Sequence, residues 1–243
     1  MSIENYDFEK AWREDEVKAT VAFPALMRKV YIWMSLALLI TGLTAFYVAS
    51  TPALITAILG NKILFYGLMI AEVCLVLGVS AGINKLSLST ATLLFVLYSV
   101  INGATLSVLL LVFTMASIAK VFFITAGTFG AMSLIGYTTK TDLTSMGKIL
   151  MMALVGLIIA SVVNMFLGSA GLDYIMSYVG VLIFVGLTAY DTQKIKNLFI
   201  GSGVSGEAGQ KMALLGALTL YLDFINLFIY LLRIFGSRSD CCD

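Results

Sequence analysis

The stretch LYLDFINLFIYLLRIFG, residues 220–236, places an aspartate, Asp223, inside an otherwise strongly apolar run. An ionised carboxylate in the hydrocarbon of a bilayer costs at least about 2.5 kcal/mol. Such a residue faces the interior of a helix bundle or a water-filled cavity, and it is a candidate functional group by default. The role of Asp223 therefore depends on what surrounds this segment.

The whole chain has the composition of a membrane protein. Of its 243 residues, 60% are hydrophobic and 12% are charged, against roughly 25% charged in soluble domains. A helix that spans a bilayer needs about 20 apolar residues. Seven apolar segments meet this need: residues 30–49, 63–82, 88–112, 118–138, 148–167, 174–193 and 212–235.

These segments predict an all-α integral membrane protein with seven transmembrane helices. The chain shows little β-pattern alternation and only two prolines, which favours helices over a barrel. The joins between segments are short, among them STPALITAILGN after the first, so no soluble domain is expected between spans. The chain divides into a polar N-terminal tail (1–28), a transmembrane domain (29–236) and a C-terminal tail (237–243).

Basic residues are distributed unequally between the two sides of the predicted bundle. With the N-terminus inside, eleven of the fifteen Lys and Arg residues fall on the inner side and four on the outer side. The outer four are Lys62, Lys120, Arg233 and Arg238, and the last two argue mildly against a full crossing by the seventh segment. The imbalance predicts a cytoplasmic N-terminus.

Composition also excludes several classes of function. The chain has no histidine, which removes imidazole general bases, the Ser-His-Asp triad and nearly all histidine metal sites. Its net charge is +1 with no basic block, so no nucleic-acid partner is expected. Three cysteines, Cys74, Cys241 and Cys242, give neither a disulfide framework nor a four-ligand zinc site. The tail pair is open to acylation or is incidental.

Three carboxylates lie within the apolar segments: Glu72, Asp191 and Asp223. At 100° per residue, the seventh segment carries one stripe of small and polar residues. Asp223 therefore points at a neighbouring helix or a wet cavity. Glu72 either belongs to a polar network or lines a pore. The stripe comprises Gly216, Thr219, Asp223, Asn226 and Tyr230.

Asp191 ends the sixth segment in the sequence AYDTQKIK, residues 189–196, and is expected at the inner surface. A loop joins the sixth and seventh segments, so Asp191 and Asp223 are expected to meet near it. Two adjacent carboxylates in a poor dielectric do not ionise together easily, so the pair would share one proton and form a pH switch. Alternatively, Asp191 pairs with Lys194 or Lys196, and Asp223 makes a structural hydrogen bond.

These stretches resemble the Bax inhibitor family, and a bacterial member in particular. LYLDFINLFIYLLRIFG is similar to the family's terminal helix, AYDTQKIK to its aspartate motif, and IAEVCLVLGVSAG (70–82) to its second helix. The resemblance covers roughly residues 20–236. It implies six helices wrapped around a central seventh, and a calcium leak whose gate responds to pH.

The resemblance also implies roles for individual residues. Asp191 and Asp223 occupy the positions of two aspartates that share a hydrogen bond, and Glu72 occupies the acidic position of the second helix. Bacterial relatives carry an arginine near residues 82–85 that latches onto the helix-six aspartate. Here Lys85 is the candidate latch, although it lacks the bidentate fork of arginine.

The leading hypothesis is a passive cation leak, with calcium as the transported ion and no other cofactor. Calcium prefers oxygen ligands, which Glu72 and Asn226 would offer along the path and the aspartate pair would offer transiently. We expect no enzyme. An intramembrane aspartyl protease would carry Gly-x-Gly-Asp, whereas Leu220–Leu222 precede Asp223, and no Pro-Ala-Leu sequence lies near the C-terminus, although one occurs at 24–26, before the first span.

Two other functions remain open, a proton-coupled transporter and a regulatory membrane scaffold. The expected partners are the lipid bilayer, calcium ions and protons, and the expected state is a monomer or weak homo-oligomer. Short loops and a compact chain favour a bacterial inner membrane as the location, with an internal eukaryotic membrane as the alternative.

Overall fold

The computed structural model describes residues 3–202 and 206–239, and these ranges are almost entirely helical. Seven helices in these ranges are long and apolar enough to cross a membrane, which confirms the predicted fold class. An eighth, α2, is short. The helices are α1 (Ile3–Ala49), α2 (Pro52–Gly60), α3 (Lys62–Gly82), α4 (Leu88–Val112), α5 (Met115–Thr138), α6 (Thr144–Leu167), α7 (Ala170–Ser202) and α8 (Gly206–Phe235).

The main departures from the prediction concern helix ends. The join STPALITAILGN contains α2, because Pro52 occupies the first turn, where a missing N–H costs nothing, and helix-compatible residues follow. The region expected as a polar tail is helical from Ile3 and continues into the first span. Helix α7 continues nine residues beyond the predicted end at 193, through the basic KIK sequence to Ser202.

Helix α8 is the centre of the bundle. Of its most apolar stretch, 67% is buried, against 33% or less for each other candidate span in the described ranges. Leu220, Tyr221, Leu227 and Leu232 are completely enclosed, and α1, α4, α5 and α7 all pack on α8. The predicted arrangement of six helices around a central C-terminal helix is confirmed.

Small residues allow α7 to approach its neighbours closely. Gly136 of α5 lies against the backbone of Ala189, and Gly147 of α6 lies against the ring of Tyr190. Such contacts replace the hydrophobic effect as the source of helix association in lipid. They fix α7 immediately before Asp191.

The end of α8 is fastened to the turn between α4 and α5. Phe113 and Arg238 form an antiparallel β-bridge. The N–H of Thr114 donates to the Ser237 carbonyl (3.1 Å), and the N–H of Ser239 donates to the Val112 carbonyl (2.9 Å). We call residues 112–114 and 237–239 the C-terminal clasp. Cys241 and Cys242 lie outside the described residues.

Candidate functional site

Asp191 of α7 and Asp223 of α8 lie side by side in the bundle. Their side chains are 8% and 4% exposed, and the two carboxyl groups are within reach of one hydrogen bond. Oδ2 of Asp223 has no hydrogen-bond partner among the described residues. A buried carboxylate oxygen without a donor is costly unless a proton or a cation compensates for it.

The polar stripe of α8 faces α7 along its length. Gly216 lies against Ile195, and the ring of Tyr230 stacks on Phe184 with centroids 5.9 Å apart. Asp223 lies between these two contacts on the same face. Asp223 therefore points at a neighbouring helix and not at lipid.

The predicted end of α7 at residue 193 is wrong, and Asp191 lies inside this helix, buried in the bundle. Helix α7 continues past it because Ile195 and Phe199, four residues apart, are buried and extend the apolar face. The predicted helix end at residue 193 rests on the lysines that come next, Lys194 and Lys196. The aliphatic part of a lysine can lie along an apolar surface while its charge stays exposed, so these lysines do not end the helix.

Neither lysine forms an ion pair with Asp191 in the described part of the chain. The ammonium of Lys196 donates to the Tyr137 carbonyl (2.7 Å), and that of Lys194 lies 5.8 Å from the centre of the Tyr190 ring. Lys194 still acts on Asp191 through its charge. The direct carboxylate partner of Asp191 is Asp223.

The residues next to Asp191 anchor α7 to α5 and to the α5–α6 turn. The buried Gln193 amide donates to the Thr141 carbonyl and accepts from the Leu143 N–H, both at 2.8 Å. The Thr192 hydroxyl lies 3.0 Å from that of Ser133. The motif thus holds the backbone around Asp191 at several points.

Glu72 belongs to a separate polar network on the opposite side of α8. Its carboxylate accepts hydrogen bonds from the Asn102 amide (3.2 Å) and the Thr105 hydroxyl. The Asn102 carbonyl oxygen accepts from the Tyr221 hydroxyl (2.9 Å), which lies 2.7 Å from the Thr41 hydroxyl. The network joins α1, α3, α4 and α8.

Within the described ranges, neither Asn226 nor Lys85 forms a hydrogen bond or an ion pair with the aspartate pair. The Asn226 amide donates to the Leu222 carbonyl of its own helix (2.8 Å). Lys85 is exposed in the turn between α3 and α4, and no side-chain hydrogen bond or ion pair within the described ranges joins it to Asp191. The arrangement therefore lacks the expected latch.

The sequence reasoning missed Tyr221, Asn102 and Gln193. Asn102 had a usable signal, because an amide in the middle of an apolar segment requires a partner for the same reason as Asp223. Tyr221 and Gln193 had none, since their bonds reach other helices or turns. Within the described ranges, no three residues of the His, Cys, Asp or Glu types lie close enough together to hold a metal ion. A cation at the aspartate pair would therefore meet two carboxylates.

Replacing Tyr221 by phenylalanine is expected to destabilise the bundle by about 1–3 kcal/mol, because Asn102 and Thr41 lose a buried partner. The measurement is unfolding of purified protein in detergent. Tyr66→Phe is the matched control, since Tyr66 is 52% exposed on α3 and should change stability little. Equal effects of the two substitutions would contradict a structural role for the network.

Comparison with known proteins identifies the family. The family described as "Inhibitor of apoptosis-promoting Bax1" matches residues 24–240, which include all seven candidate membrane spans and both aspartates. The chain belongs to the Bax inhibitor family. The match ends near the described C-terminus, so the C-terminal clasp lies within the family region.

Bacterial proteins are similar to this Bax inhibitor family chain over most of its length. "Inner membrane protein YbhL" of Escherichia coli is 49% identical over 91% of this chain and 95% of its own length. "Uncharacterized protein RP147" of Rickettsia prowazekii is 47% identical, over 88% and 90% of the two chains. An "Uncharacterized protein" of Borreliella burgdorferi is 46% identical, over 88% and 92%.

Proposed function

We propose that this protein is a passive leak for calcium ions, controlled by a proton that Asp191 and Asp223 share. The observation that carries the proposal is the adjacency of the two carboxyl groups, with one oxygen of Asp223 left without a donor. Membership of the Bax inhibitor family supports it.

The physical basis is the cost of charge inside the bundle. With one proton, the pair holds a single charge and can form a short hydrogen bond between its members. Loss of that proton places two negative charges in contact, and gain of a second removes the attraction for a cation. Each step changes the α7–α8 interface by one unit of charge, so the protonation states favour different packing of the two helices.

Calcium suits the available ligands. It binds carboxylate, amide and hydroxyl oxygens, and the aspartate pair would hold it only in transit. Glu72 would contribute to the path if the network around it opened, whereas Asn226 would first have to leave the Leu222 carbonyl. The proposal requires no resident cofactor and no chemical reaction. It includes a bacterial inner membrane as the location and an N-terminus on the cytoplasmic side of that membrane.

The test is calcium flux into liposomes that contain the purified protein and a calcium-sensitive dye. We expect flux down the concentration gradient that changes between mildly acidic and mildly alkaline buffer. Flux that is absent, or that is constant across this range, would refute the proposal. Saturable uptake of an organic solute driven by a proton gradient would instead identify a transporter.

A further inference from the structure

An apolar crevice runs between α1 and α5, in the half of the bundle remote from the start of α1. Its volume is about 240 Å³, and helices α1, α4, α5 and α8 line it. Phe224, Ile225 and Phe228 of α8 form its floor. The crevice therefore extends from the bundle surface to the central helix.

The crevice lies where α1 and α5 do not pack against each other. A 2.6 Å hydrogen bond joins Tyr31 of α1 to Ser133 of α5, and the two helices make few other close approaches in the described ranges. Gly42 widens the gap, since a Cβ at this position would meet nothing within 4 Å. Phe46 and Met115, both more than half exposed, lie at the rim. The crevice is thus continuous with the surface that faces lipid.

The lining offers no unmet polar group. Among the described residues that line the crevice, Thr41 has the polar side chain. Its hydroxyl already lies 2.7 Å from the Tyr221 hydroxyl and 3.0 Å from the Ser99 carbonyl. A cavity of this kind excludes water and accepts apolar molecules. A polar ligand would lose its hydrogen bonds there without replacement.

We propose that the crevice binds one acyl chain of a bilayer phospholipid. The medium around a transmembrane bundle is hydrocarbon, the crevice opens to that medium, and a flexible alkyl chain follows an irregular apolar channel. Since Phe224 and Ile225 directly follow Asp223, the chain would pack against the helix that carries the aspartate pair. The site does not depend on the proposed ion leak.

The test uses a tryptophan on the crevice floor and lipids brominated on their acyl chains, which quench nearby tryptophan fluorescence. Trp12 and Trp33 are first replaced by phenylalanine. Phe224→Trp then reports on the floor, because Phe224 is 3% exposed and ordinary surface lipid does not reach it. Phe123→Trp, at a position 73% exposed, gives the quenching expected in full contact with lipid.

We expect strong quenching of Phe224→Trp that Gly42→Leu reduces by about half or more, because leucine fills the open space. Gly127→Leu is the control, since Gly127 also has nothing within 4 Å of a Cβ and lies outside the crevice. Quenching that is absent, or that Gly42→Leu leaves unchanged, would overturn the proposal.

A second measurement covers the case in which Phe224→Trp does not fold. Native mass spectrometry of the protein with its original tryptophans counts phospholipids retained after purification. Gly42→Leu should lower the retained number by one relative to Gly127→Leu. Equal lipid retention by these two variants would also overturn the proposal.

Discussion

Asp223→Asn is expected to abolish the pH dependence of calcium flux. Asparagine has nearly the shape of aspartate but does not titrate, so the interface between α7 and α8 loses the shared proton while its packing is kept. Asp191 still titrates, but its ionisation no longer places two negative charges in contact, so we expect it to leave the packing of α7 on α8 nearly unchanged. Asp191→Asn should have the same effect, and the double variant should add little, because the two residues act as one unit.

The expected size follows from typical coupling energies. A coupling of about 1–3 kcal/mol changes an equilibrium roughly 5- to 150-fold. We therefore expect wild-type flux to differ at least about fivefold across the pH range, and variant flux to differ less than about twofold. The measurement is the liposome assay, with all proteins reconstituted at equal density.

Asp142→Asn is the matched control for this experiment. Asp142 lies in the α5–α6 turn, outside the spans, and hydrogen bonds from the Thr144 hydroxyl and backbone N–H hold its pKa below the usual range. A group with a lowered pKa stays ionised near neutrality, so its removal should leave the pH response intact. If Asp142→Asn flattened the response, or Asp223→Asn did not, the aspartate pair would not be the sensor.

Gly136→Ala is expected to lower the stability of the bundle by about 1–3 kcal/mol, the usual range for overpacking, and to fall near its upper end. The added methyl group would overlap the backbone carbonyl of Ala189, which cannot rotate away as a side chain can. Helices α5 and α7 would have to separate, and Asp191, two residues further along α7, would move with them.

The control lies in the same helix. A Cβ at Gly130 would meet nothing within 4 Å, so Gly130→Ala should be neutral or should stabilise the protein by up to about 1 kcal/mol through helix propensity. Unfolding in detergent measures both variants. Similar stabilities for Gly136→Ala and Gly130→Ala would mean that close approach of α5 and α7 contributes nothing.

Hydrophobic length explains which parts of the fold could be predicted. Runs of about 20 apolar residues have one solution in a bilayer, so all seven spans were identified. The predicted helix boundaries are wrong where local composition and the folded structure disagree. Lys194 and Lys196 indicate an end to α7, although Ile195 and Phe199 continue its buried face, and the short apolar stretch that forms α2 reads as a join between two spans.

The candidate site divides in the same way. Asp223 was found because a carboxylate in an apolar run is unusual on its own, and its direction followed from the stripe that includes Gly216 and Tyr230. The network around Glu72 could not be assembled, because it needs the relative positions of four helices. The contacts of Gln193 depend on a turn 50 residues earlier, which no local pattern reveals.

The C-terminal clasp limits how α8 can move. Because residues 237–239 are bonded to residues 112–114, the last turn acts as a pivot, and sliding of α8 along its axis would break those bonds. Asp223 lies twelve residues before Phe235, which is about 18 Å along the axis of α8 at 1.5 Å per residue. A tilt of α8 by about 3° would displace Asp223 by about 1 Å over that length. A small tilt of α8 can therefore separate Asp223 from Asp191 while every turn of the helix stays intact.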